Sequence, residues 1–171
     1  MTNNNIYFIA NWKMFGSVKS VNSLNKVISY SKTKKLKAKI IYCPPYTLIK
    51  SFVDKTKNSN IEIGAQDCHV QQNYGPFTGA ISSKMIKDLG GKFVIIGHSE
   101  TRKENDNKKI NLKIKSALGE KLNVILCVGE KLIDKKKNKT KSVLKKQLLE
   151  GLKNLKNLSK VIIAYEPVWS I

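Results

Sequence analysis

Near one end of the chain a short apolar run, Val161-Ile162-Ile163-Ala164, leads through Tyr165 to a single carboxylate, Glu166, and then at once to Pro167. Proline lacks a backbone donor and fixes its own φ, so a strand has to stop there and Glu166 sits at its exit. A carboxylate at the exit of a buried parallel strand is a catalytic position in barrel enzymes. Other chemistry-bearing residues fall at equivalent places, just after apolar runs of strand length: Asn11-Trp12-Lys13, Gln66, His98-Ser99-Glu100, and Cys127 with Glu130. A parallel barrel would gather these ends on one rim, where such enzymes do their chemistry. Taken singly, each residue has a plainer use. A lysine after a strand is ordinarily surface, and a lone histidine is ordinarily a satisfied structural residue, the expectation for His69. No base partner for Cys127 is evident, so it is expected to be a small core residue near the site and not a nucleophile. Arg102 and Glu130 are expected to be structural ion-pair members.

The elements that must position these residues can be read from apolar periodicity. Ile6–Ala10, Ile40–Cys43, Ile61–Gln66, Phe93–Gly97, Val124–Val128 and Val161–Ala164 are six runs of strand length. They are rich in β-branched residues and lack polar alternation, as strands covered on both faces do. Between them lie amphipathic stretches. Val18, Val21, Leu24 and Ile28 share one face of a helix starting near Ser17, and Leu48 and Phe52 mark a short one. Ser82 can cap a helix carrying Met85, Ile86 and Leu89, ended by Gly90-Gly91. Ile110, Ile114 and Ala117 form a stripe stopped by Gly119, and Leu144, Leu148, Leu152 and Leu155 form a longer one. Strands alternating with helices predict a parallel α/β sheet. No linker or low-complexity tract interrupts the pattern, so residues 1–171 are expected to form one domain.

In combination the strand-exit residues resemble one family, triosephosphate isomerase. The resemblance is carried by Ala10-Asn11-Trp12-Lys13-Met14, Ile95-Ile96-Gly97-His98-Ser99-Glu100, Cys127-Val128-Gly129-Glu130 and the segment Ala164 to Ile171, with Gly75-Pro76-Phe77-Thr78-Gly79 matching a loop of that family. It runs from about Phe8 to the last residue. It implies a (β/α)8 TIM barrel and an isomerase that interconverts D-glyceraldehyde 3-phosphate and dihydroxyacetone phosphate through an enediolate, a step of glycolysis and gluconeogenesis. Glu166 would be the base. His98 would polarise the carbonyl as a neutral imidazole, favoured by a helix beginning at Ser99-Glu100 with its positive end on the ring. Lys13 would hold the phosphate and the developing oxyanion, Asn11 would donate a hydrogen bond beside it, and Glu100 would orient the group through Lys13. No cofactor or metal is implied. The loop Gln71–Gly79, with few lysines and two aromatics, would insert into a partner subunit near Asn11 and Lys13 and make a homodimer. Departures from the family pattern are Thr101 in place of a common basic residue, a segment Arg102–Asp106 a few residues short, Asp67 in place of an amide, and Ala80 in place of an acid.

Composition narrows the alternatives. With 171 residues, 41% of them hydrophobic, the chain can bury a sizeable core. The formal net charge of +20 invites a nucleic-acid reading. Against it, Arg102 is the single arginine, whereas base-edge recognition relies on arginine forks. The lysines fall mostly on polar helix faces and loops, such as Lys34, Lys35, Lys37, Lys39, Lys135, Lys136, Lys137 and Lys139, so solvated surface and no nucleic-acid partner are expected. Abundant Lys, Asn and Ile is the residue usage of an AT-rich genome. No run approaches the ~20 apolar residues of a membrane span, and the first residues lack the order of a secretory signal. Three scattered cysteines outside any C-x-x-C spacing indicate neither a disulfide framework nor zinc, which fits a cytoplasmic protein.

A complete barrel needs eight βα units and about 250 residues. Six strands are visible, so the expectation is a C-terminally incomplete barrel that lacks strands seven and eight and most of the lid. Such a chain, alone, is expected to be inactive. A truncated non-catalytic fragment therefore stands as the alternative function, with a cationic nucleic-acid binder behind it.

Overall fold

The computed structural model describes residues 6–33 and 38–171. Lys34, Lys35 and Lys37, expected on polar surface, and Met1–Asn5 lie outside the described residues. Six strands form one sheet in chain order: β1 (Ile6–Asn11), β2 (Ala38–Cys43), β3 (Ile61–Ala65), β4 (Phe93–Ile96), β5 (Asn123–Val128) and β6 (Val161–Tyr165). Every neighbouring pair is parallel, with register Ile9 to Ile41, Ile95 to Ile125 and Cys127 to Ala164 among others. All six expected runs are strands.

The helices are α1 (Leu24–Thr33), α2 (Ile49–Thr56), α3 (Ser83–Asp88), α4 (Asn107–Gly119), α5 (Leu132–Lys136) and α6 (Thr140–Gly151). Chain entry into α1 is a 3-10 segment, Val18–Ser23, and Val18 is exposed, so it lies off the apolar face on which Val21 and Leu24 are buried. The Ser82 hydroxyl accepts from the Met85 amide and caps α3 as expected. Gly119 is the last residue of α4, not its terminator; the left-handed turn comes at Lys121, φ 60°. Likewise α6 ends at Gly151, and Leu152 and Leu155 pack against the core from the segment that follows.

Two apolar layers result from side-chain alternation along the strands. The larger lies between sheet and helices and includes Phe52, Ile86, Ile96, Ile110, Ile114 and Leu126. The smaller lies on the inner face and joins Ile41, Cys43, Phe93, Ile95, Ile125 and Cys127. Gly64 allows the inner face to close on itself, because a Cβ there would meet Cys43 Sγ and Phe93 Cβ, each at 2.9 Å. Coverage of both faces holds for β4, whose four residues are all buried, but fails on the two edge strands. Phe8 on β1 is 61% exposed and Ile163 on β6 is 45% exposed, because among the described residues no further element packs over them.

Candidate active site

The exits of the strands deliver the expected polar residues to one end of the sheet. Asn11 closes β1, and its side-chain Oδ1 accepts from the Lys13 amide at 3.0 Å. Lys13 has φ 51°, the left-handed region that side-chain-bearing residues occupy only when their surroundings enforce it. Those surroundings include Gln66, just past β3, whose amide donates to the carbonyls of Lys13 and Cys43 at 2.7 and 2.9 Å. From that backbone the Lys13 ammonium reaches Glu100 Oε1 at 2.9 Å. This hydrogen bond is the main cause that holds the Glu100 carboxyl below the usual carboxylate range.

His98 is buried just past β4. Its Nδ1 accepts from the backbone N–H of Glu100 at 3.3 Å, while the Glu100 carboxylate stands 3.5 Å away. An Nδ1 that accepts leaves the neutral ring's proton on Nε2. Nε2 faces Glu166, with 3.6 Å to Oε2, a separation too long for a hydrogen bond. That Glu166 oxygen is buried and has no hydrogen-bond partner among the described residues. The expected helix at Ser99-Glu100 is absent. The segment folds instead as turns, with Thr101 and Arg102 amides donating to the His98 carbonyl, and α4 starts only at Asn107, capped by Asp106. A backbone amide, not a helix end, therefore addresses the ring.

Glu166 is placed by a close backbone approach. Its amide donates to the Val128 carbonyl at 2.8 Å, and a Cβ at position 129 would stand 1.9 Å from its carbonyl oxygen, so only glycine fits there. Beside it Cys127 is buried, and burial, then the neighbouring Glu166 charge, pushes its thiol pKa far up. It is a core residue, as expected, and poorly suited to nucleophilic work.

Arg102 and Glu130 are structural, but among the described residues neither is in an ion pair. The Arg102 fork donates to the carbonyls of Gly97 and Cys127 and to Asn107 Oδ1, at 2.8, 2.9 and 2.8 Å. Buried Glu130 accepts from Trp169 Nε1 at 2.9 Å and from the Tyr165 hydroxyl at 3.0 Å. It thereby fixes both sides of the Glu166-Pro167 step. Lys135 covers the Trp169 ring, its Nζ 3.3 Å from the centroid. His69 accepts from the Gln71 amide and packs at a tilt against Phe77, ring centroids 4.6 Å apart, the structural use expected for it. Sequence reasoning placed Gln66 at a strand exit without a task, and missed the buried Lys113; the only sequence signal for the latter is its position beside Ile110 and Ile114 on one helix face.

The geometry can be set beside known proteins. A family model described as triosephosphate isomerase matches residues 6–171. The chain belongs to the triosephosphate isomerase family. The triosephosphate isomerase of Dictyoglomus thermophilum is 42% identical over 167 residues, covering 95% of this chain and 66% of its own length. That of Clostridium botulinum is 39% identical over 165 residues, 94% of this chain and 66% of the relative. That of Saccharomyces cerevisiae is 39% identical over 163 residues, with 94% and 65% covered. A solved triosephosphate isomerase from Bartonella henselae superposes with a TM-score of 0.88 at 37% identity, over 96% of this chain and 68% of that one. The chain thus spans just under two thirds of the length of the curated relatives it matches. Its six parallel strands are part of a (β/α)8 barrel.

Proposed function

We propose that the protein is a triosephosphate isomerase, interconverting D-glyceraldehyde 3-phosphate and dihydroxyacetone phosphate. The observation that carries this is the convergence of Glu166 Oε2 and His98 Nε2, 3.6 Å apart at the end of the sheet, with the carboxylate oxygen buried and unpartnered among the described residues. With substrate seated against both groups, Glu166 removes a proton from the carbon beside the carbonyl, and the Nε2–H of His98 donates to the carbonyl oxygen as it becomes an enediolate oxygen. The proton returns to the adjacent carbon and the carbonyl re-forms one position along. Lys13 supplies a fixed positive charge to the phosphate and the oxyanion, Asn11 donates from its side-chain nitrogen, and Glu100 orients Lys13 through their ion pair. These steps need no cofactor or metal.

Assembly belongs to the same proposal. Met14 is 94% exposed and Phe15 74% exposed beside the site, and the loop Gln71–Gly79 presents the exposed aromatics Tyr74 and Phe77. A two-fold homodimer would bury each set against the other. Among the described residues no helix is long and apolar enough to cross a membrane, and three free buried cysteines suit the cytoplasm. The test is a coupled assay on the product of the complete reading frame, with Glu166→Gln as control. Turnover of glyceraldehyde 3-phosphate is expected, lost by ~100-fold or more in the variant. No turnover by the unaltered product would overturn the assignment.

A further inference from the structure

Lys113 is a lysine where the charge pattern predicts none: it lies on the inward face of α4 and is 5% exposed. A buried ammonium needs a partner, and its partner is the Asp67 carboxylate. The second oxygen of that carboxylate, Oδ1, is buried and has no hydrogen-bond partner among the described residues, so the charge on Asp67 is committed to Lys113. The Cys68 thiol adds a weaker tie from the same segment, to the Lys113 carbonyl at 3.7 Å. Consecutive residues of extended chain point to opposite faces. Asp67 therefore reaches outward to α4 while Gln66 reaches inward to the carbonyls of Lys13 and Cys43.

Lys13 is the residue with most to lose from slack in this arrangement. It is held at φ 51° by two grips, Asn11 on its N–H and Gln66 on its C=O. A side-chain amide positions a carbonyl only as well as its own backbone is anchored. We propose that the Asp67–Lys113 ion pair is a positioning device for Lys13: it ties the exit of β3 to α4, fixes the Gln66 amide, and so keeps Lys13 in its left-handed conformation with its ammonium on Glu100.

The test uses the complete protein and rests on the isomerase assignment for its kinetic arm. Asp67→Asn leaves the Lys113 ammonium unpaired, and Asp67→Asn with Lys113→Met removes both charges. Displacing a binding group by ~1 Å costs up to ~100-fold. Asp67→Asn is expected to raise KM by roughly 10-fold, with a smaller effect on kcat, and to speed amide hydrogen exchange over Asn11–Phe15. The double variant is expected to recover most of both. Asp67→Glu, which keeps the charge but lengthens its reach, gives an intermediate rise in KM and supplies the readout if Asp67→Asn does not fold. Lower Tm in these variants, with KM and Asn11–Phe15 exchange unchanged, would reduce the pair to a structural tie and overturn the proposal. If the unaltered protein isomerises no triose phosphate, the assignment fails separately, and exchange over Asn11–Phe15 alone decides whether the pair holds Lys13.

Discussion

Asn11, Lys13, His98 and Glu166 are each placed by contacts that involve backbone and not by side-chain packing alone, which makes their positions sensitive to single atoms. Glu166→Asp withdraws the carboxylate by about one methylene, and ~1 Å of misplacement costs about 100-fold. In the complete protein kcat is expected to fall by roughly that factor while KM changes little; an unchanged kcat would remove Glu166 from the reaction. Gly129→Ala approaches the same carboxylate from behind. Its new Cβ would need the space of the Glu166 carbonyl oxygen, 1.9 Å away, so a comparable loss of kcat is expected although residue 129 touches no substrate. If steady-state kinetics of Gly129→Ala match the unaltered protein, Glu166 is not held by this approach. The positions of Glu166, His98, Lys13, Asn11 and Glu100 at strand exits were legible because each lies at or just past an apolar run that has to be a strand. The partners of Arg102 and Glu130 were not, since carbonyls and an indole bonded across dozens of residues leave no local pattern.

At the level of elements, the six strands were readable from β-branched runs alone, whereas the turns after His98 were not. Nothing in Ser99–Asp106 breaks helix periodicity strongly, and only the Asp106 cap, accepting from the Lys109 amide, fixes where α4 begins. The segment after β6 illustrates how an element end can titrate. Glu130 is held below its ordinary value of 4.5, first by the hydrogen bond from Trp169 and also by Tyr165. A carboxyl depressed in the folded state stabilises above its unfolded pKa and loses that contribution as pH falls through the folded value. Trp169 fluorescence in the complete protein is therefore expected to be constant above pH 4.5 and to change below it. Glu130→Gln should abolish that transition while the signal from Trp12 persists. A transition of the same size in Glu130→Gln would assign it to global acid unfolding.

Across the whole molecule the outer faces of β1 and β6 are its weakest part. Ile6, Phe8, Ile163 and Tyr165 are exposed there, and open parallel edges present unpaired backbone groups that invite association. Residues 1–171 expressed as a separate polypeptide are expected to aggregate or melt without cooperativity, and to lack isomerase activity although Asn11, Lys13, His98 and Glu166 are all present. Remote binding energy from the rest of a barrel is what such sites spend on orienting substrate. A soluble, cooperatively melting, active 171-residue protein would show that association of copies covers the open edges of the sheet. Sedimentation of the complete protein tests the proposed dimer at the same scale: a monomer at micromolar concentration would rule out docking through Gln71–Gly79.

Arg102 carries a different kind of consequence. It is the single arginine in a chain whose other fixed cations are lysines, and its fork satisfies acceptors at the exits of β4 and β5 and at the start of α4. A lysine there has one ammonium for three diverging acceptors, and each buried acceptor left unpaired costs ~1–3 kcal/mol. Arg102→Lys is thus expected to lower stability by about 2 kcal/mol or more, measured by denaturant unfolding of the complete protein, whereas Lys108→Arg is expected to change it by less than ~0.5 kcal/mol. In terms of mutation pressure, an exchange of arginine for lysine is expected to cost nothing over a solvated surface and to be resisted at position 102, where the planar fork and not the charge alone makes the three bonds.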